Sequence, residues 1–139
     1  MDKSQLLKQY YAYTLKSADL AGQIAGLLDQ IRLGSLSLNH ESVVESNERI
    51  EELTQKLQSL HFKRQDIADN LGCRHDRFAI ELVNKLSGKN KQMIFQATKE
   101  LKEQLKLCRE KSDLQAQLMQ QQQVILTDAL QALRFEVNA

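Results

Sequence analysis

The chain has 139 residues, a net charge of +1, 42% hydrophobic and 5% aromatic residues, five glycines, no proline and no tryptophan. A chain of that length suits one domain, and without proline little interrupts a helix interior. So few aromatics exclude a thick globular core and point to thin aliphatic seams between long helices. The near-balance of charge excludes the general basic excess of a dedicated nucleic-acid binder.

The charge is nevertheless uneven. Residues 85–111 hold 8 basic and 3 acidic side chains, whereas the flanking stretches lean acidic. A basic helix of this kind is either a solvated face or a surface that steers an acidic partner or a phosphate backbone. Two cysteines, Cys73 and Cys108, allow at most one bridge, and Met1-Asp2-Lys3-Ser4 lacks an apolar signal core. No run approaches the roughly 20 apolar residues of a membrane span. These features predict reduced thiols, no membrane span and a cytoplasmic location.

The first predicted helix covers residues 4–33. Leu7, Tyr10, Thr14, Ser17, Ala21, Ile24, Leu28 and Ile31 step by threes and fours, a heptad seam with two small polar interruptions. Gly22 and Gly26 form a G-x-x-x-G pair, which predicts close packing of a neighbouring helix. Gly34 is the expected residue just past the helix end, and Asn39 the expected N-cap of the next. A second helix follows over 40–70, with Val43, Ser46, Ile50, Leu53, Leu57, Leu60, Arg64, Ile67 and Leu71 in register. Its outer positions are charged, as in a coiled-coil hairpin. Arg64 breaks the seam and is expected to carry its charge out to the edge. Gly72 ends this helix. A third, short helix is predicted over 76–86 and a fourth over 90–137. The fold class is therefore all-α: a long antiparallel hairpin, or coiled-coil bundle of three to four helices, forming a single helical domain over 1–139.

Little in the chain suggests catalysis. Cys73-Arg74-His75-Asp76 is the one cluster with metal-ligand residue types, but zinc needs a convergent set of four and this reads as a polar turn. No nucleophile elbow, phosphate loop, dinucleotide fingerprint or H-E-x-x-H motif occurs. Glu51 and Glu52 are adjacent and diverge by about 100° on a helix. The expectation is a non-enzyme with no cofactor and no metal.

The C-terminal end is the more informative part. After the polar run Gln120–Gln123, the residues Ile125, Leu126, Ala129, Leu130, Ala132, Leu133 and Val137 span an arc of roughly 160° on a helical wheel, and Phe135 adds an apolar group beyond it. One neighbour needs only about 100°. Residues 124–137 therefore predict a partner-binding end, acting by helix-in-groove contact; the alternative is that they pack on helix 1 of their own chain. A membrane-surface helix fits less well, because Arg134 is outnumbered by Asp128 and Glu136.

This arrangement resembles the FlgN-type flagellar export chaperones. The likeness lies in the charged heptad helix from Glu41 to Gly72, with Lys63-Arg64 before Leu71-Gly72, and in the apolar positions Leu101, Leu105, Cys108, Leu118, Met119, Ala129, Leu130 and Leu133. Where the family often carries an Asn-x-x-Asn-Gly step, this chain has Ser112, Gln115 and Ala116. The resemblance implies a bacterial cytoplasmic chaperone that holds hook–filament junction proteins soluble and delivers them to the type III export machinery. It also implies substrate contact through the last helix, which maps to Ile125, Leu126, Ala129, Leu130, Leu133 and Phe135. The competing expectation is a self-assembling coiled-coil scaffold or adaptor, such as a homodimer. Nucleic-acid binding through residues 85–111 is a third and weaker one.

Overall fold

The structure, a computed structural model, describes residues 2–113 and 127–132. Its described residues are all-α, as the periodicities require. The helices are α1 (Lys3–Leu36), α2 (His40–Asn70), a 3-10 turn (His75–Arg77), α3 (Phe78–Lys85) and α4 (Gly88–Asp113), followed by a helical segment at 127–132. Among the described residues, no helix is long and apolar enough to cross a membrane.

At the start of α1, the Asp2 carboxylate accepts a hydrogen bond from the Gln5 amide at 2.8 Å and so caps the helix. All eight residues of the predicted α1 seam are buried. Its two polar members cost little there. The Thr14 hydroxyl donates to the Tyr10 carbonyl at 2.8 Å and the Ser17 hydroxyl to the Tyr13 carbonyl at 2.7 Å, so each satisfies itself on its own helix.

The α1–α2 turn departs from expectation. Gly34 does not follow the helix end but lies buried inside α1, where an added Cβ would sit 3.0 Å from Val43 Cγ2. Its bareness lets the start of α2 fold back closely. The left-handed position is taken by Leu38, with φ of 58°. The Asn39 amide then donates to the Gly34 carbonyl and the Leu38 amide to the Ser35 carbonyl, a Schellman closure built on a leucine. Asn39 caps α2 as expected, accepting from the Ser42 amide at 3.2 Å. Gly72, with φ of 83°, closes α2 by the same pair of bonds, and Lys85 Nζ donates to the Gly72 carbonyl at 3.0 Å.

The helices α1 and α2 pair antiparallel: Val43 meets Gly34 at one end, while Lys63 lies over the Tyr13 ring at the other. The short α3 crosses the base and returns the chain to the start of α1. From there α4 runs parallel to α1. Ile94 lies near Leu7, Cys108 Sγ donates to the Ala21 carbonyl at 3.0 Å, and Lys111 pairs with Asp29. The G-x-x-x-G pair does not bring about this contact. A Cβ on Gly22 would only touch Gln104 at an ordinary 3.5 Å, and Gly26 is exposed with nothing near it.

The predicted single helix over 90–137 is also corrected. Ala129 and Ala132 lie around the same cavity as Leu101 and Leu105. A straight helix would set Leu105 and Ala129 roughly 36 Å apart at its standard rise. The chain has therefore returned by Thr127, and Ala129 and Ala132 share a cavity with residues of α2 and α4.

Candidate ligand and partner site

The predicted partner contacts divide into two groups. Ile125, Leu126, Leu133 and Phe135 lie outside the described residues. Ala129 and Leu130 are described and are only 4% and 7% exposed, within the chain's own apolar core together with Ala132. Ala129 and Ala132 share with residues of α2 and α4 a cavity of about 280 Å³. Its walls come from Leu57, His61, Phe62 and Arg64 of α2, from Leu101 and Leu105 of α4, and from Ala129 and Ala132.

Arg64 is the unusual member of this wall. Its position in the α2 seam aims it inward, and it is 1% exposed, so its charge is not carried to the edge as expected. No carboxylate pairs with it among the described residues. The guanidinium carbon instead sits 5.9 Å from the Tyr10 ring centroid and 5.7 Å from that of Phe78. Such stacking on aromatic faces offsets part of the desolvation cost. Burial pushes the Arg64 pKa below its ordinary value, and Tyr10, by its electrostatics and a side-chain hydrogen bond, opposes that shift. Among the described residues, Nε and Nη1 meet no acceptor at good hydrogen-bond geometry.

One turn earlier, His61 packs edge-on against Phe78 at 5.3 Å. Its Nδ1 is buried and has no hydrogen-bond partner among the described residues. Burial first, then the positive charges of Arg64 and His75, lower its pKa to about 4. The ring is thus neutral at pH 7 and can hold its proton on either nitrogen. Two more charged side chains stand at the rim. Asp76 pairs with Arg74 at 3.5 Å, and Asp128 is exposed.

The other sequence candidates lie apart from this site. In the Cys73–Asp76 turn, His75 Nδ1 is 3.1 Å from Asp69 Oδ2, while the Arg74 amide donates to Glu81 at 3.0 Å. Among the described residues, no three His, Cys, Asp or Glu side chains are grouped to hold a metal ion. The basic residues of α4 mostly face solvent, with Lys111 engaged by Asp29. Burial pushes the Cys108 thiol up to about 12, which leaves it a structural donor and not a nucleophile.

Sequence reasoning missed the cluster of Tyr10, His61, Arg64 and Phe78. One signal for it was available: an arginine at a position where the heptad asks for an aliphatic residue. No family model, curated protein or solved structure matches the chain.

Proposed function

We propose that the chain acts by binding protein and not by catalysis, as a cytoplasmic chaperone of the FlgN flagellar type. In this reading it shields an amphipathic helix of a hook–filament junction protein and hands it to the type III export machinery. The observation that carries the proposal is a largely apolar cavity of about 280 Å³ that Ala129 and Ala132 share with Leu57, Leu101 and Leu105. An amphipathic partner helix can bury apolar side chains on such a surface, at about 1.5–3 kcal/mol for each leucine. The apolar arc around Ala129 and Leu130 then covers the partner instead of the chain's own groove. Free and bound states are populations of one exchange, shifted by the partner's affinity for the open form.

The resemblance of the Glu41–Gly72 helix and of the Leu101–Leu133 positions to that family also supports this reading. The test is calorimetric titration of a purified hook–filament junction protein into the full chain and into a version ending at Gln123. Micromolar or tighter binding by the full chain, lost on truncation, is expected. Equal binding by both forms, or by neither, would reject the proposal. The full chain with Leu130→Asp and Leu133→Asp should likewise lose capture while keeping its helical circular dichroism.

A further inference from the structure

On the solvent side of α1 runs a second apolar stripe. Ala12, Leu15, Asp19, Gly22, Gly26 and Asp29 step by threes and fours, a heptad seam beside the buried one. All but the half-buried Gly22 are exposed. Lys8 and Leu33 extend the seam at its ends, and Leu15 and Leu33 are 44% and 66% exposed. Two exposed apolar residues of α4 widen this face. Met93 shares a small cavity with Lys8 and Tyr11. Leu107 lies on the α4 ridge between Gln104 and Lys111, which lie against Gly22 and Asp29. Glycine inside a helix is costly beside alanine, yet the chain's own packing requires neither glycine of this seam. A Cβ on Gly22 would make ordinary contact, and one on Gly26 would meet nothing within 4 Å.

We propose that this face of α1 pairs antiparallel with the same face of a second copy of the chain. The distribution of residues along the seam selects that occupant and that direction. Bulk lies in one half, at Tyr11 and Leu15, and bare backbone in the other, at Gly22 and Gly26. Antiparallel pairing sets each Leu15 over the other copy's glycines, where small residues let the backbones come close. Parallel pairing would set glycine against glycine. Charge follows the same order. The charged side chains of residues 3–18 are Lys3, Lys8 and Lys16, and those of residues 19–31 are Asp19 and Asp29. Both aspartates stay more than half exposed although Lys16 and Lys111 bond them. Antiparallel copies therefore bring opposite signs together. The pair is isologous, the commonest closed form of a homodimer. It uses a different side of the bundle from the cavity at Ala129 and is tested independently of the chaperone reading.

Sedimentation equilibrium of the full chain should show a reversible monomer–dimer equilibrium with a micromolar dissociation constant. A monomer throughout the micromolar range overturns the proposal. Gly26→Gln should weaken self-association at least tenfold without lowering the denaturation midpoint of the dilute, monomeric protein, since its side chain has room. Unchanged association by this variant overturns the proposal even if the wild type dimerises. Direction is read by disulfide cross-linking. Leu15 over the glycines puts the two-fold axis near Asp19, so Asp19→Cys should link two chains under mild oxidation. The two copies of residue 30 then stand roughly 30 Å apart along the pair, and Gln30→Cys should not link them. Any other pattern contradicts the proposal. The wild type, with Cys73 and Cys108 buried, sets the background.

Discussion

The two ends of the α1–α2 hairpin break the ordinary sorting of side chains in opposite directions. At the base, charge and polarity are turned inward: Arg64 and His61 are held among Tyr10, Phe78 and the aliphatic wall, with nitrogens unused. At the tip, apolar groups are turned outward. Leu36 and Leu38 are 74% and 78% exposed, and Leu38 occupies a left-handed backbone position that suits glycine. Between them lies a seam in which all eight α1 positions are buried. Consistency across levels is the default of a well-specified chain, and local violations concentrate where something besides stability is at work. The base adds a cavity that both residues line, whereas the tip shows a left-handed leucine and exposed apolar side chains.

This comparison can be pressed with substitutions at each end. The largest effect belongs to Phe78→Ala at the base. The ring is fully buried and is shared by Tyr10, His61 and Arg64, so chemical denaturation should show a loss of about 3–5 kcal/mol. A loss below 1 kcal/mol would mean that the cluster is not a packed unit.

Arg64→Met keeps the stem and removes the unpaired charge. It should raise stability by about 1–4 kcal/mol, as replacement of poorly compensated buried ions often does. Destabilisation in the same assay would show that the Tyr10 hydrogen bond and the stacking on Tyr10 and Phe78 outweigh the desolvation cost, and the contrast between base and tip would then fail.

The base should also respond to acid. The folded-state pKa of His61 is lowered from 6.5 to about 4, so below pH 6.5 the unfolded chain binds the proton more readily than the folded one. The contribution of neutral His61 is fully present above pH 6.5 and is lost as pH falls toward 4. Its ceiling is about 3 kcal/mol from the linkage relation. Denaturation midpoints between pH 7 and pH 4.5 should fall in the wild type and fall less in His61→Gln; parallel profiles would contradict the assignment.

The smallest effect belongs to the tip. Leu38→Gly relieves the left-handed leucine and should stabilise by about 1 kcal/mol. If stability drops instead, the exposed Leu38 side chain has a packing role that its accessibility hides.

Much of this architecture is legible in the chain itself. Seam positions in α1 and α2, the Asn39 cap and the Gly72 stop all follow from local chemistry, because heptad spacing and capping act over a few residues. The errors occur where long-range contact decides. Gly34 looks like a helix end until Val43 is seen to lean on it, and Leu38 then takes the left-handed position. Gly22 and Gly26 look like a packing motif, yet one faces solvent. The 90–137 helix looks continuous because good helix formers fill it, and nothing in its propensities announces that Ala129 comes back beside Leu105. Arg64 was visible as an irregularity in the seam. Its burial was not, because a side chain's escape to the edge depends on what α3 and the 127–132 segment place around it.

The central claim is that 127–132 is an exchangeable cover on the α2–α4 groove. Hydrogen–deuterium exchange of the full chain, alone and with a purified hook–filament junction protein, tests it directly. The account predicts that amide protection across 127–132 changes on partner addition, while the α1 seam from Leu7 to Ile31 stays unchanged. Unaltered protection of 127–132 in a saturated complex would contradict it and leave that segment a permanent part of the core.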